Sequence, residues 1–376
     1  MPPSQSRSTS SNPARIVAVA GARPNFMKIA PLLREIENRP GVEAFLVHTG
    51  QHYDEAMSES FFKDLRIAEP DLNLEVGSGS HAEQTASVLV KMEKVLLEED
   101  PDLLLVVGDV NSTLAASLAA VKLEIPVAHV EAGLRSGDRA MPEEINRILT
   151  DSISTWLFTT EEEANLNLAG EGIPAERIHH VGNVMIDTLF DKLQEARNRD
   201  TLERLGLEPG QYALLTLHRP SNVDDPAVLR GIFDTLEQIH EKLPILFPVH
   251  PRTRASIEKM LGHTEPNLQL AEPMGYLDFL KLMSEARLVF TDSGGIQEET
   301  TALGVTCLTL RENTERPITV SEGTNTIVGS DPDTIRIEAE KALQGEGKAG
   351  RTPPLWDGQA AGRILDILEK DIAGTS

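Results

Sequence analysis

The sequence predicts an α/β protein of two doubly wound, parallel-sheet (Rossmann-like) domains facing a cleft. Three observations carry this. At 376 residues the chain exceeds what one ordinary core organises and suits two domains. Its strand-like runs, such as DLLLVVGD and ARLVFTD, are continuously apolar, as expected of strands buried on both faces, and helical stretches separate them. The rhythm also starts twice, changing over near Gly182 to Leu205, a charged helical stretch with a modest shift in composition.

Residues 1–13, MPPSQSRSTSSNP, are polar, rich in Ser and Pro and aperiodic, so they are expected to be disordered, with structure starting at Ala14. The N-terminal domain, 14–185, opens with the strand RIVAVA and the helix NFMKIAPLLREIEN. EAFLVHTG then precedes the helical DEAMSESFFKDL and HAEQTASVLVKMEKVLLEE, DLLLVVGD precedes NSTLAASLAAVKL, PVAHVEA precedes PEEINRILTDSIS, and WLFTTE precedes EEANLNLAGEG. In the C-terminal domain, 186–356, the strands are YALLTLH, PILFPVH, LQLAEP, ARLVFTD, VTCLTL and NTIVG. The last helix, expected over 357–374, has an apolar face that must pack on a partner. Ligands of such sheets sit beyond the carboxyl ends of the strands.

No run approaches the ~20 apolar residues of a membrane span, and the N-terminus lacks the apolar segment of a secretory signal, so a cytoplasmic location is expected. The single cysteine, Cys307, excludes an internal disulfide and a cysteine-based metal cage. A formal charge of −24 excludes nucleic acid and anionic membranes as expected partners. It also fits an acidic shell adapted to high salt, where screening is nearly complete. On that hypothesis thermal stability and activity rise between dilute buffer and molar salt, and equal values in both would refute it. An acidic protein that binds an acidic nucleotide must concentrate its few basic residues at the site.

The segment TDSGGIQEET follows a strand and opens a helix, which places Ser293, Gly294 and Gly295 at a helix N-terminus, where backbone amides suit a phosphate. Glu298 and Glu299 lie one turn in, within reach of ribose hydroxyls. Taken alone, the segment equally describes an ordinary capped strand-to-helix turn.

The other polar clusters also follow strands. GARPNFMK puts Arg23 and Lys28 beside a turn and a helix start, a setting suited to an anion. Asp109 follows the run DLLLVVG, where it is either a helix cap or a carboxylate aimed at ligand. HVEAGLRSGDRAMPEEINR brings Glu131, Arg135, Asp138, Glu143, Glu144 and Arg147 into a short span. Asp109 and Glu131 are expected on neighbouring strand ends, with Glu143 returned by the loop. Clustered carboxylates push each other's pKa apart, which suits proton abstraction from carbon and return of a proton. Carboxylates also bind Mg²⁺, whereas no spacing here makes a zinc motif. In the second half His218 and Arg219 end one strand, and His250, Arg252 and Arg254 follow the next. Arg311, Glu315 and Arg316 then complete what reads as a diphosphate site of amides, arginines and an imidazole.

The segments GARPNFMKIAPL, HTGQHYDEAM, VVGDVNSTLAASLAA, HVEAGLRSGDRAMPEEINRILTD, GNVMID, HRPSNVDD, DSGGIQEE and TERP, in this order, resemble those of the non-hydrolysing UDP-N-acetylglucosamine 2-epimerases. The resemblance runs from Ala14 to about Gly329 and implies a fold like that of the GT-B glycosyltransferases, with the final helix crossing back to the first domain. It implies cofactor-independent epimerisation at C2 of a UDP-linked 2-acetamido sugar, with loss of UDP to a glycal and its re-addition, by a homodimer that binds no metal. Asp109, Glu131 and Glu143 match the family's acid and base group and His218 its histidine near the leaving UDP. Arg23, Lys28, Arg135, His250, Arg252, Phe279 and Arg316 fall among the substrate-binding positions. Ser293, Gly294 and Gly295 match the diphosphate turn and Glu299 the acid that holds the ribose. The loop SGDRAM is shorter than in many bacterial members and is similar to archaeal members and to relatives acting on other UDP-sugars, such as a UDP-diacetamido-glucuronate. Gln51 is kept, but Asp54 stands where members with an activator site carry glutamine. A GT-B glycosyltransferase is the alternative from another enzyme class, and a UDP-sugar sensor or a hydrolysing epimerase are further readings.

Overall fold

A computed structural model describes residues 13–50, 64–67, 69–249, 251–261 and 267–375. The expected disordered tail up to residue 12, most of the expected helix DEAMSESFFKDL, Gln51, Asp54 and His250 lie outside the described residues.

The chain divides into two compact units, one of residues 1–188 with 355–376 and the other of residues 189–354. In the first unit the strands are β1 (Ala14–Ala20), β2 (Val42–His48), β3 (Leu72–Asn73), β4 (Leu103–Val107), β5 (Val127–Ala132), β6 (Trp156–Thr159) and β7 (Ile178–His180). They form one parallel sheet in the order β3-β2-β1-β4-β5-β6-β7. The second unit has β8 (Ala213–Thr216), β9 (Ile245–Pro248), β10 (Gln269–Ala271), β11 (Leu288–Thr291), β12 (Cys307–Thr309) and β13 (Asn325–Ile327), parallel in the order β10-β9-β8-β11-β12-β13. These are two doubly wound sheets, as the continuous apolar runs require. Every residue of β4, LLLVV, is buried, because helices cover both faces.

The order reverses between β1 and β4 in the first sheet and between β8 and β11 in the second. Helices depart to opposite faces there, so the loops splay apart and leave a crevice at the carboxyl ends of the strands. The edge strands β3 and β7 have no counterpart among the expected strands. They are two and three residues long and half-buried, too short for an apolar run to register.

One face of the first sheet packs Val17, Val19, Leu104 and Val106 against the helices His81–Glu99 and Asn111–Lys122. The former helix starts at a reciprocal cap in which Ser80 and Glu83 satisfy each other's backbone amides. In the second unit Leu215, Phe247, Phe290 and Leu308 centre the core, backed by Phe233 and Leu236. The C-terminal helix Ala360–Thr375 belongs to the first unit. The Asp187 carboxylate accepts from its first amides, Ala360 and Ala361, at 3.1 and 2.7 Å, and Trp356 donates its indole N–H to the Thr160 carbonyl at 3.0 Å.

Candidate active site

At the switch point of the first sheet, the turn after β1 enters the helix Arg23–Glu37 and the turn after β4 carries Gly108 and Asp109. Asn25 ties them: its side-chain amide donates to Val107 O at 3.0 Å, while its oxygen accepts from Ala22 N at 2.8 Å. Lys28 is buried, and its Nζ lies 2.5 Å from Glu131 Oε2. Gly108 has φ of +68°, and a Cβ there would stand 3.0 Å from Lys28 Nζ, so glycine lets the lysine cross the strand ends.

Glu131 is held by a departure from regular strand geometry. The register of β5 against β6 shifts between Val130 and Ala132, and Glu131 has φ of +72°, which non-glycine residues rarely adopt. A bulge of this kind re-aims a side chain at a cost in backbone strain, and such strain clusters at functional sites.

Asp109 meets Arg147, a buried residue of the helix Pro142–Ile153, at 2.9 Å to Nη2 and 3.0 Å to Nε. Arg147 also pairs with Glu144, whose carboxylate accepts from Ser136 N and Gly137 N at 3.0 Å each, fixing the SGDRAM loop. Glu143, in the first turn of this helix, is half-buried and makes no hydrogen bond or ion pair among the described residues. The expectation of carboxylates pressing on one another gives way to a different arrangement, in which Asp109 and Glu131 each carry their own cation. Arg135 also differs from expectation. Its guanidinium is taken up by Glu171 at 2.7 Å, Asp151 at 2.8 Å and Leu134 O at 2.7 Å, so two acids hold it as part of the scaffold.

At the switch point of the second sheet, His218 and Arg219 follow β8, and Asp292 and Ser293 follow β11. Asp292 is the organiser. It accepts from His218 N, Arg219 N and Asn222 Nδ2 and sits 2.8 Å from His218 Nδ1. Burial opposes its charge, but these donors and the imidazole outweigh burial and hold the carboxyl below its ordinary range. Nδ1 of His218 faces Asp292, which leaves Nε2 as the ring nitrogen that Asp292 does not engage on a half-exposed ring.

Ser293 is the N-cap of the helix Gly294–Leu303, and its hydroxyl caps no amide of the first turn. Those amides, with the positive helix end, form a ready anion site. A Cβ on Gly294 would stand 2.8 Å from Glu315 Oε1, because Glu315 packs against this turn. Glu315 is bracketed by Arg311 at 2.7 Å and Arg219 at 3.5 Å. Burial works against its charge, yet Arg316, Arg311 and Arg219 hold it far below the usual carboxylate range. Arg316 is buried with Nε 2.8 Å from Glu298. Glu299 accepts a hydrogen bond from the Tyr276 hydroxyl at 2.9 Å, and Phe279 is half-buried on the same helix, Tyr276–Glu285. Arg23 and Arg252 begin or nearly begin the helices Arg23–Glu37 and Pro251–Leu261.

The structure thus brings Lys28, Asp109 and Glu131 to one switch point, and His218, Ser293 and Gly294 to the other. Sequence reasoning passed over Asp292 and Tyr276. A buried aspartate directly before the glycine turn was the available signal for the first, whereas nothing local marks the second. Among the described residues no group of three or more His, Cys, Asp or Glu side chains is placed to hold a metal ion, and no helix is long and apolar enough to cross a membrane.

Residues 34–369 match the family described as UDP-N-acetylglucosamine 2-epimerase. A UDP-N-acetylglucosamine 2-epimerase of Methanococcus maripaludis is 43% identical over 94% of this chain and 98% of its own length. A UDP-2,3-diacetamido-2,3-dideoxy-D-glucuronate 2-epimerase of Pseudomonas aeruginosa is 41% identical over 95% and 99%. The crystal structure of the Methanocaldococcus jannaschii UDP-GlcNAc 2-epimerase in complex with UDP-GlcNAc and UDP is similar at a TM-score of 0.85 and 42% identity, covering 95% of this chain and 99% of that one.

Proposed function

Because the chain belongs to the UDP-N-acetylglucosamine 2-epimerase family, we infer that it is an isomerase that interconverts UDP-N-acetylglucosamine and UDP-N-acetylmannosamine. The observation that carries this reading is similarity over nearly the whole of both chains, joined to carboxylates at one switch point and an anion turn at the other.

The first unit supplies the acid and base group. A carboxylate of the set Asp109, Glu131 and Glu143 takes the C2 proton, the C2–H electrons form the C1–C2 double bond, and the C1–O bond breaks with its pair leaving on UDP. A proton then returns to the other face of C2 as the UDP oxygen adds to C1. The C2 hydrogen beside an acetamido group is weakly acidic, so the barrier falls chiefly through a placed base and stabilisation of the departing diphosphate. Lys28 and Arg147 pair with Glu131 and Asp109 and hold them in place.

The second unit holds the nucleotide. The amides from Ser293 to Gly295 receive the diphosphate, and Arg316 with Arg219 supplies positive charge. Glu299 receives the ribose hydroxyls, and His218, aligned by Asp292, presents Nε2 to the leaving oxygen. In this reading the enzyme is a cytoplasmic homodimer and needs no cofactor.

The test is NMR of the pure protein with UDP-N-acetylglucosamine in heavy water. Both C2 epimers should appear, carrying deuterium at C2. Retained C2 hydrogen would overturn the proton route, and no reaction without an acceptor would favour a glycosyltransferase. The Pseudomonas relative, nearly as similar as the archaeal one, supports a second reading. Inertness toward UDP-N-acetylglucosamine with turnover of the UDP-diacetamido-glucuronate would select it.

A further inference from the structure

Behind the carboxylates lies a polar group that the reaction does not touch. His129 sits within β5 with its side chain wholly buried. Its Nε2 is 2.9 Å from the carbonyl oxygen of Gly108, and its Nδ1 is 2.7 Å from Asp151 Oδ1. A carbonyl only accepts, and so does an ionised carboxylate, so each ring nitrogen donates a hydrogen. The second oxygen of Asp151 accepts from Gly133 N at 3.1 Å and faces Arg135 Nη2 at 2.8 Å. Arg135 is anchored in turn by Glu171.

Each contact of this group lands beside a carboxylate of the site. Gly108 immediately precedes Asp109, and its own N–H pairs with Val130 O at 3.1 Å, next to Glu131. Gly133 lies two residues beyond Glu131. Asp151 is on the helix Pro142–Ile153, which carries Glu143 in its first turn and, one turn before Asp151, the Arg147 that holds Asp109.

Stability alone does not account for this choice of residues. Val127, Ala128 and Val130 of β5 pack as in an ordinary buried strand, and replacing buried ion pairs by apolar side chains of similar volume is often neutral or stabilising. What a leucine could not supply is direction: a hydrogen bond to one strand end and an ion pair to the following helix.

We propose that His129 and Asp151 are positioning residues, which set the mutual placement of Asp109, Glu131 and Glu143 by clamping the Gly108 and Gly133 peptides to the helix that carries Glu143. The proposal rests on the acid and base reading given above. Misplacement of a reacting group by ~1 Å costs on the order of 100-fold in rate.

The experiment compares His129→Leu, His129→Gln and Asp151→Asn with Asp109→Asn as reference, following kcat, KM, UDP affinity by calorimetry and the thermal midpoint. His129→Leu should lower kcat about 100-fold while KM and UDP affinity stay within about twofold. His129→Gln should recover about tenfold of the loss, because its amide can donate to Gly108 O. Asp151→Asn, which keeps shape and removes charge while Arg135 stays paired to Glu171, should lower kcat by about tenfold and lower the thermal midpoint as well. If His129→Leu does not fold, the Asn variant decides. A kcat within about threefold of wild type in the folded variants, with Asp109→Asn inactive, overturns the positioning role alone, even where the midpoint drops. A wild-type rate in Asp109→Asn overturns the positioning role together with the reading beneath it.

Discussion

Asp109→Asn, Glu131→Gln and Glu143→Gln each lower turnover by at least ~100-fold, the scale expected when a positioned acid or base is lost and equal to about 2.7 kcal/mol in the barrier. The three changes differ in what else they disturb. Glu131→Gln leaves Lys28, buried and 2.5 Å away, without its counter-charge, so a loss of thermal stability accompanies the loss of rate. Asp109→Asn is cushioned, because Arg147 retains its pairing to Glu144. Glu143→Gln removes a half-buried carboxylate with no partner among the described residues, so it changes the chemistry while leaving the fold as it was. Steady-state rates with UDP affinity and thermal midpoints measured in parallel separate these effects. Near-wild-type turnover in all three would show that the carboxylates are structural.

The second large effect falls on Glu299 and has opposite signs for stability and for binding. Burial pushes its carboxyl up to about 7, against the opposing hydrogen bond from Tyr276 and with the help of the Glu298 charge. The folded chain therefore holds this proton more tightly than the unfolded chain. Stability from Glu299 is fully present below the ordinary carboxylate pKa of about 4.5 and is lost as pH rises toward 7, a change on the order of 3 kcal/mol. Glu299→Gln should remove that loss, so the thermal midpoint of the free protein at pH 8 should rise. The ionised carboxylate accepts from ribose hydroxyls more strongly than the neutral acid, so UDP binding should favour the ionised form and release protons near pH 6 to 7. The variant should bind UDP on the order of tenfold more weakly and release none. Calorimetry in buffers of different ionisation enthalpy measures both, and an unchanged affinity in the variant would remove Glu299 from the ribose.

The turn at Ser293 is legible in the amino-acid sequence because its signal is local. An apolar run followed by two glycines and acids located the helix start at Gly294 and the strand end at Thr291. Asp292 escaped for the opposite reason. Its importance lies in backbone amides and a histidine from the turn after β8, which only the pairing of β8 with β11 brings near. His129 reads in sequence as one polar letter in a buried strand, and its two partners come from the turn after β4 and from a helix that follows a long loop. Arg135 was legible as a basic residue near acids, but not as one already spoken for.

From its sequence alone, this chain's class of fold, its alternation of strands and helices, the strand ends that carry chemistry and its family are determined, because hydrophobic period and turn residues act over a few positions. Tertiary structure alone decided which charges meet. Lys28 finds Glu131, Asp109 finds Arg147 and His218 finds Asp292 through the order of strands in each sheet, and that order arises from packing the whole of each core rather than from any segment of it.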